Sequence, residues 1–412
     1  MTRIEIIQAA FKVWGREFYF NTSLSHVAQE LKVCKPALYR HFRSKQDLFE
    51  AMTTYFFDDF AEFIRPEYEK ALKTGTHSKS AFIISKSIAE YFARNVHVFI
   101  FSMIKLRDRQ LEGLNIVQEL QTRGVDVVNF HHANRLISNL LYATLVFFMA
   151  DFHKRRKGFT NSPSETEISH IISKVGKIIS GGLCYNTEEI DELNYGELES
   201  RIAGTINNIE DDSLLKAVAA AVASAGPWEA SMEQVAHKSG LAKSSLYGHF
   251  KSKQDMLHQL FMTETERIID FARQGIKLSA LTQEQLYLGI FSIVEYLRSK
   301  PDILVTLDWL RNRRLNLETG GKPPPHPSIS LWIFEDIDIA PLHSSESPFS
   351  DMPLGRKSGE QGGDLWLSPW ILFLIVNILM LKKAEQAVCY IPNSDIRSLY
   401  RFLTLGIGGF NI

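Results

Sequence analysis

Cysteine is scarce in this chain. The three present in 412 residues, Cys34, Cys184 and Cys389, are odd in number and lack metal-ligand spacing. That excludes a disulfide framework and suits a reducing compartment, so a cytoplasmic location and no bound metal are expected. Neither sign of charge dominates: 46 Lys and Arg against 47 Asp and Glu leave a formal net charge of -1. A polyanionic partner must therefore be met by a local basic cluster, not by the whole surface. The opening residues, MTRIEIIQAA, hold an early acid and only a short apolar run, which is not the pattern of a secretion signal. No phosphate-cradling P-loop, no GxSxG nucleophile turn and no His/Cys cluster occurs, so neither an enzyme nor a cofactor is expected. One long hydrophobic run exists, Leu365 to Leu381, but Ser368, Pro369 and Asn377 interrupt it. It sits at the short edge of what can span a bilayer, and a helix buried in a core or subunit interface is expected instead of a membrane partner. Sustained period-two alternation is also missing, which leaves little for strands.

What is present is a repeat. Residues 35–47 read KPALYRHFRSKQD and residues 243–255 read KSSLYGHFKSKQD, with nine of thirteen identical at an offset of 208. Extended to 22–52 against 230–260, the same offset gives 12 identities in 31 positions without a gap. Upstream, Ile7, Ala10, Phe11 and Trp14 match Leu215, Val218, Ala219 and Val222, both sets spaced i, i+3, i+4, i+7 along one helix face. A weaker echo pairs 106–111 with 310–315. The chain reads as a duplicated domain of about 200 residues fused in tandem, and its fold class as all-α. Helical periodicity covers 80–94, 97–111, 133–156 and 166–180 in the first half, and 283–299, 302–315, 366–388 and 394–405 in the second.

Each repeated segment reads as three short helices. The first opens at the capping box Thr2-Arg3-Ile4-Glu5, or near Asp212 in the second copy. The second carries Leu24, Val27, Ala28 and Leu31, matched by Met232, Val235, Ala236 and Ser239. After a three-residue turn, the third starts at Lys35 or Lys243 and buries Leu38 and Phe42, or Leu246 and Phe250. Two helices joined by a tight turn, the second short and basic, form the helix-turn-helix pattern. From Lys32 to Gln46 there are five Lys or Arg and no acid; from Gln234 to Gln254 there are four Lys and no acid. Windows free of carboxylate in a nearly neutral chain suit a phosphate-lined partner. Further capping boxes, Ser44 to Asp47 and Ser252 to Asp255, open the next helix of each copy.

On these residues the sequence resembles the TetR family of bacterial transcriptional regulators. Val27-Ala28, Lys35 to Phe42 and Ser44 to Leu48 carry the likeness, and again Val235-Ala236, Gly240-Leu241 and Leu246 to Lys253. The likeness covers about 50 residues per copy. It implies two TetR-like units, each a three-helix DNA-binding domain followed by a helical regulatory domain, with double-stranded DNA as partner. In the first copy it implies DNA contacts by Thr22, Lys35, Pro36, Ala37, Tyr39, Arg40, His41 and Lys45. Residues 35–41 would enter the major groove, Tyr39 would touch the backbone and Lys45 would pair with a phosphate. In the second copy it implies the same of Ser231, Lys243, Ser244, Ser245, Tyr247, His249 and Lys253. Family members usually carry Ser or Thr where this chain has Cys34 and Ala242, a loss of about 1 kcal/mol of helix capping. Lys32 stands where the second copy has Gly240, and Gly248 replaces Arg40. Glu229 and Glu233 bring acid close to the second copy, so stronger DNA binding is expected of the first.

The expected domains are 1–52 and 210–260 for DNA binding, 53–182 and 261–412 for regulation and pairing, and an acidic joint over 183–209. Within the last domain, a Pro-, Ser- and Gly-rich loop fills 316–364. Aromatic residues of the first half, among them Phe82, Tyr91, Phe92, Phe99, Phe101, Tyr142, Phe147 and Phe148, offer either core packing or the lining for a hydrophobic effector. The second half places Trp309, Trp332, Trp366 and Trp370 around its long loop. Pairing, by resemblance, would use the terminal helices near 133–180 and 366–405, within one chain as a pseudo-dimer or between chains as a homodimer. The rival reading is a helical interaction scaffold with one or both DNA-binding heads vestigial.

Overall fold

The computed structural model describes residues 1–16, 23–73, 77–102, 116–125, 135–155, 162–183, 186–204, 212–225, 230–304, 367–386 and 390–410, with Leu307, Ile333, Phe334 and Ile337. Every regular element among them is helical. They fall into two compact units that part between Ser180 and Gly181. The echo at 106–111 and 310–315, the loop at 316–364, Thr22, Cys184, Cys389, Glu229, Trp309, Trp332 and Trp366 lie outside the described residues.

The first unit opens with α1 (Arg3–Arg16). Its capping box is formed: the Glu5 amide donates to Thr2 Oγ1 at 3.2 Å and the Thr2 amide to Glu5 Oε2 at 2.7 Å. Ile7, Ala10, Phe11 and Trp14 are buried along one face, as the spacing requires. Then come α2 (Leu24–Glu30), α3 (Lys35–Tyr39) and α4 (Lys45–Leu72), which runs out of the head into the body of the unit. Along α4, Phe49, Met52, Phe56, Phe60 and Ile64 keep an apolar stripe buried at spacings of three, four and seven. The body adds α5 (His77–Arg94), α6 (Ile116–Thr122), α7 (Arg135–Arg155) and α8 (Glu165–Gly181). Arg94 joins α5 to α8 through a two-pronged ion pair with Glu165, at 2.6 and 2.9 Å.

The aromatic residues of this body close on one another. Phe60 stacks on Phe92 at 5.4 Å and meets Tyr91 at 4.8 Å, and Phe92 meets Phe99 edge-on at 5.4 Å. Phe101 sits edge-on between Phe11 of α1 and Phe49 of α4, at 5.0 and 5.4 Å. Of the two readings of these rings, core packing accounts for Tyr91, Phe92, Phe99 and Phe101, all 1% exposed or less.

The second unit repeats the plan with an addition at its start. The stretch 183–209, read from its acidity as a joint, holds α9 (Thr187–Asp191) and α10 (Tyr195–Ala203). Among its described apolar residues, Leu183, Ile190, Leu198 and Ile202 are buried, while Glu188, Glu189 and Glu192 face outward. The acidity therefore marks the outer face of packed helices. The head follows as α11 (Ser213–Ala225), α12 (Met232–Ser239), α13 (Lys243–His249) and α14 (Lys253–Ile276). The body is α15 (Thr282–Ser299), α16 (Leu367–Gln386) and α17 (Asn393–Leu405). Helix α10 packs on α15, and α9 on α17. The apolar run of α16 is core: Trp370, Ile371, Leu374, Ile375, Ile378 and Leu379 are all fully buried. Among the described residues, one segment is long and apolar enough to cross a bilayer, Leu136–His153 of α7, and 67% of it is buried.

Candidate nucleic-acid interface

The two heads are built alike. In the first, the Ser23 amide donates to His26 Nδ1 at 3.3 Å to open α2. In the second, Ser231 and Gln234 form a full capping box, with the Gln234 amide on Ser231 Oγ at 3.2 Å. Ser231 is half-buried, its hydroxyl engaged as a cap. The turn that follows reverses the chain through one left-handed residue. That residue is Lys32 in the first copy, φ 55°, and Gly240 in the second, φ 70°. Glycine adopts this region freely, whereas lysine does so under strain. The next helix starts at Cys34 or Ala242 with no side-chain cap, as their chemistry requires. Pro36 in the first turn of α3 loses nothing, since an amide there has no partner within the helix.

Beyond the turn, one face is anchored and the other presented. Leu38 and Phe42 are fully buried in the first head, Leu246 and Phe250 in the second. Lys35, Pro36, Tyr39 and Arg40 are exposed on α3, with Ala37 and His41 half-buried at its flank. Lys243, Ser244, Ser245, Tyr247, Gly248 and His249 are all exposed on α13. The two tyrosines stand out at 47% and 53% exposure, where a large ring is seldom left without a task. The ammonium of Lys35 lies 5.8 Å from the Tyr39 ring centre.

The next helix begins beside this face in both copies. Ser44 Oγ accepts from the Asp47 amide at 3.0 Å while Asp47 Oδ2 accepts from the Arg43 amide at 2.7 Å. Ser252, Asp255 and Lys251 repeat this at 3.1 and 2.8 Å. Lys45 and Lys253 occupy the first helical position of α4 and α14, both half-buried. Burial lowers the pKa of Lys45.

Two side-chain pairings are not evident from the sequence. Arg3 donates to the His41 carbonyl at 2.6 Å and its guanidinium covers the Phe42 ring at 4.2 Å. It thus ties the start of α1 to the end of α3, a contact spanning 38 residues that no local pattern announces. In the second head, the Lys243 ammonium is held by the Glu233 carboxylate. Glu233 lay just outside the acid-free window, and only the packing of α12 against α13 brings the pair together.

Paired short helices with an exposed, acid-poor second member define a helix-turn-helix DNA-binding protein. The family model for bacterial regulatory proteins of the tetR family matches twice, over residues 6–52 and 214–260, the same 208-residue offset as the repeat. Each matched segment is a TetR-family DNA-binding domain, so the chain carries two TetR-like units in tandem and is a DNA-binding transcriptional regulator. A comparison with curated proteins finds no match.

Proposed function

We propose that the chain is a cytoplasmic repressor whose two heads read one operator with two unlike half-sites. The observation that carries this reading is the contrast between the presented faces. Pro36, Ala37 and Arg40 stand in one head where Ser244, Ser245 and Gly248 stand in the other, on the same backbone plan. An arginine can grip guanine through two hydrogen bonds and glycine cannot, a difference of roughly 1–3 kcal/mol at one base pair. In this reading the terminal helices α7, α8, α16 and α17 pair the two units within one chain, and a small hydrophobic effector releases the DNA. Two atoms on α7 support a ligand contact: Asn139 Oδ1 and Tyr142 OH are buried without hydrogen-bond partners and lie one helical turn apart. The direct experiment selects bound fragments from genomic DNA and footprints the chain on them. Two unlike half-sites, about one helical turn or slightly more apart, are expected. Binding that ignores salt and sequence would favour the scaffold reading with vestigial heads.

A further inference from the structure

The two heads differ most sharply at one exposed ion pair. Glu233 sits in the first turn of α12 and its carboxylate contacts the ammonium of Lys243, the first residue of α13. The matching position in the first head is Ser25, and the matching lysine, Lys35, lies over the Tyr39 ring instead. The side chains of Glu233 and Lys243 are 71% and 48% exposed. A pair so open to water does little to hold the fold together. Its consequence falls on whatever approaches this face.

For a phosphate, the pair is an obstacle in two ways. Glu233 takes up one of the three N–H donors of Lys243 and offsets its charge, and the carboxylate stands beside the incoming negative charge. The pair supports itself: the hydrogen bond and charge of Lys243 lower the Glu233 pKa, and Glu233 raises that of Lys243. Both stay charged at neutral pH. Resting on the DNA-binding reading above, we infer that Glu233 sets the inequality of the two heads, by occupying Lys243 and holding the second head to weak, low-charge contact while the first anchors the chain. The acid acts by charge alone, so its amide isostere should release the lysine without altering the helix.

The test uses the full chain on its own selected DNA fragment, titrated across a range of salt. E233Q is expected to tighten binding about three- to tenfold and to steepen the salt dependence by about one charge. The gain should appear as stronger protection of the half-site read by the second head. In a K243Q background the same change should gain much less, because the amide then frees no cation. The reciprocal S25E change should weaken the first head. An E233Q chain with unaltered affinity and salt slope overturns the inference while leaving DNA binding intact. So does an equal gain in the K243Q background. Absence of salt-dependent binding by the unaltered chain would bring down the inference together with the reading beneath it.

Discussion

The Glu199 carboxylate accepts two hydrogen bonds from the Arg397 guanidinium, at 2.8 and 2.9 Å, across 198 residues of sequence. Tyr287 and Asn393 each donate to the same carboxylate at 2.7 Å. One side chain thus joins α10, from the stretch between the repeats, to α15 and α17 of the second unit. The Glu199 side chain is 11% exposed, so its loss strands three sets of donors. Glu199→Ala is expected to destabilise the second unit by about 2–3 kcal/mol, read in denaturant unfolding. A change within 0.5 kcal/mol, about what an ordinary surface substitution gives, would mean α10 is dispensable.

The same carboxylate predicts a pH dependence. Burial alone would raise its pKa, but the bonds from Arg397, Tyr287 and Asn393 outweigh burial and hold it below the usual 4.5. The unfolded chain therefore binds the proton more tightly than the folded one. Stability from this group is complete at neutral pH and is lost as pH falls from about 4.5 through the lower folded value. Glu199→Gln should flatten that acid-side loss for the second unit. An unaltered acid limb in the Gln variant would assign the loss to other carboxylates.

Lys32 and Gly240 make a matched pair of experiments, since both hold a left-handed backbone at the same turn. A side chain at Gly240 meets nothing within 4 Å, so conformation is the only penalty there. Gly240→Ala is expected to cost about 1 kcal/mol. Lys32→Gly relieves the strain but adds freedom to the unfolded chain, leaving a gain of about 0.5 kcal/mol. Thermal unfolding of the two variants should move in opposite directions; movement in the same direction would show that the turn is not the cause.

The heads were legible because their chemistry is local. Capping boxes, the i, i+3, i+4, i+7 faces and the acid-free windows each span a few residues, and each appears where the spacing puts it. Helix ends followed within a few residues: 80–94 became His77–Arg94, and 394–405 became Asn393–Leu405. The segment 183–209 was harder, because its sparse Ile190, Leu198 and Ile202 carry too weak an apolar period to suggest packed helices. Its fixing partners, Tyr287 and Arg397, lie far along the chain. Arg3 on the His41 carbonyl was invisible for the same reason, whereas Glu233 was legible as acid close to the second copy and only its partner, Lys243, depended on the packing of α12 against α13. A lone charged residue says nothing of which distant partner it meets.

At the first head, the proposed contacts divide by what they would read. Should Lys45, at the start of α4, meet phosphate as the resemblance implies, Lys45→Ala will weaken binding to every sequence and reduce the salt slope by about one charge. Arg40, exposed at the end of α3, is the residue proposed to read base edges. Arg40→Ala should cost about 1–3 kcal/mol on the selected site and relax preference at one base pair. Competition binding with variant fragments separates the two effects. Wild-type affinity in both variants would remove α3 as the recognition helix.

The number of chains on DNA is the last prediction. A regulator with one head reads a palindrome by pairing two identical chains about a two-fold axis. This chain already owns two heads, and fusion raises the effective concentration of the second unit beside the first. If the two units pair within one chain, pairing does not depend on protein concentration, and the two readers are free to diverge, as Arg40 and Gly248 have. Light scattering should give the mass of one 47.0 kDa chain, unchanged on dilution and with one chain per operator on DNA. A homodimer would instead bring four heads, and a two-fold axis between chains would demand a symmetric site. Stable dimers bound to a perfect palindrome, with affinity falling on dilution, would replace the internal pair with pairing between chains.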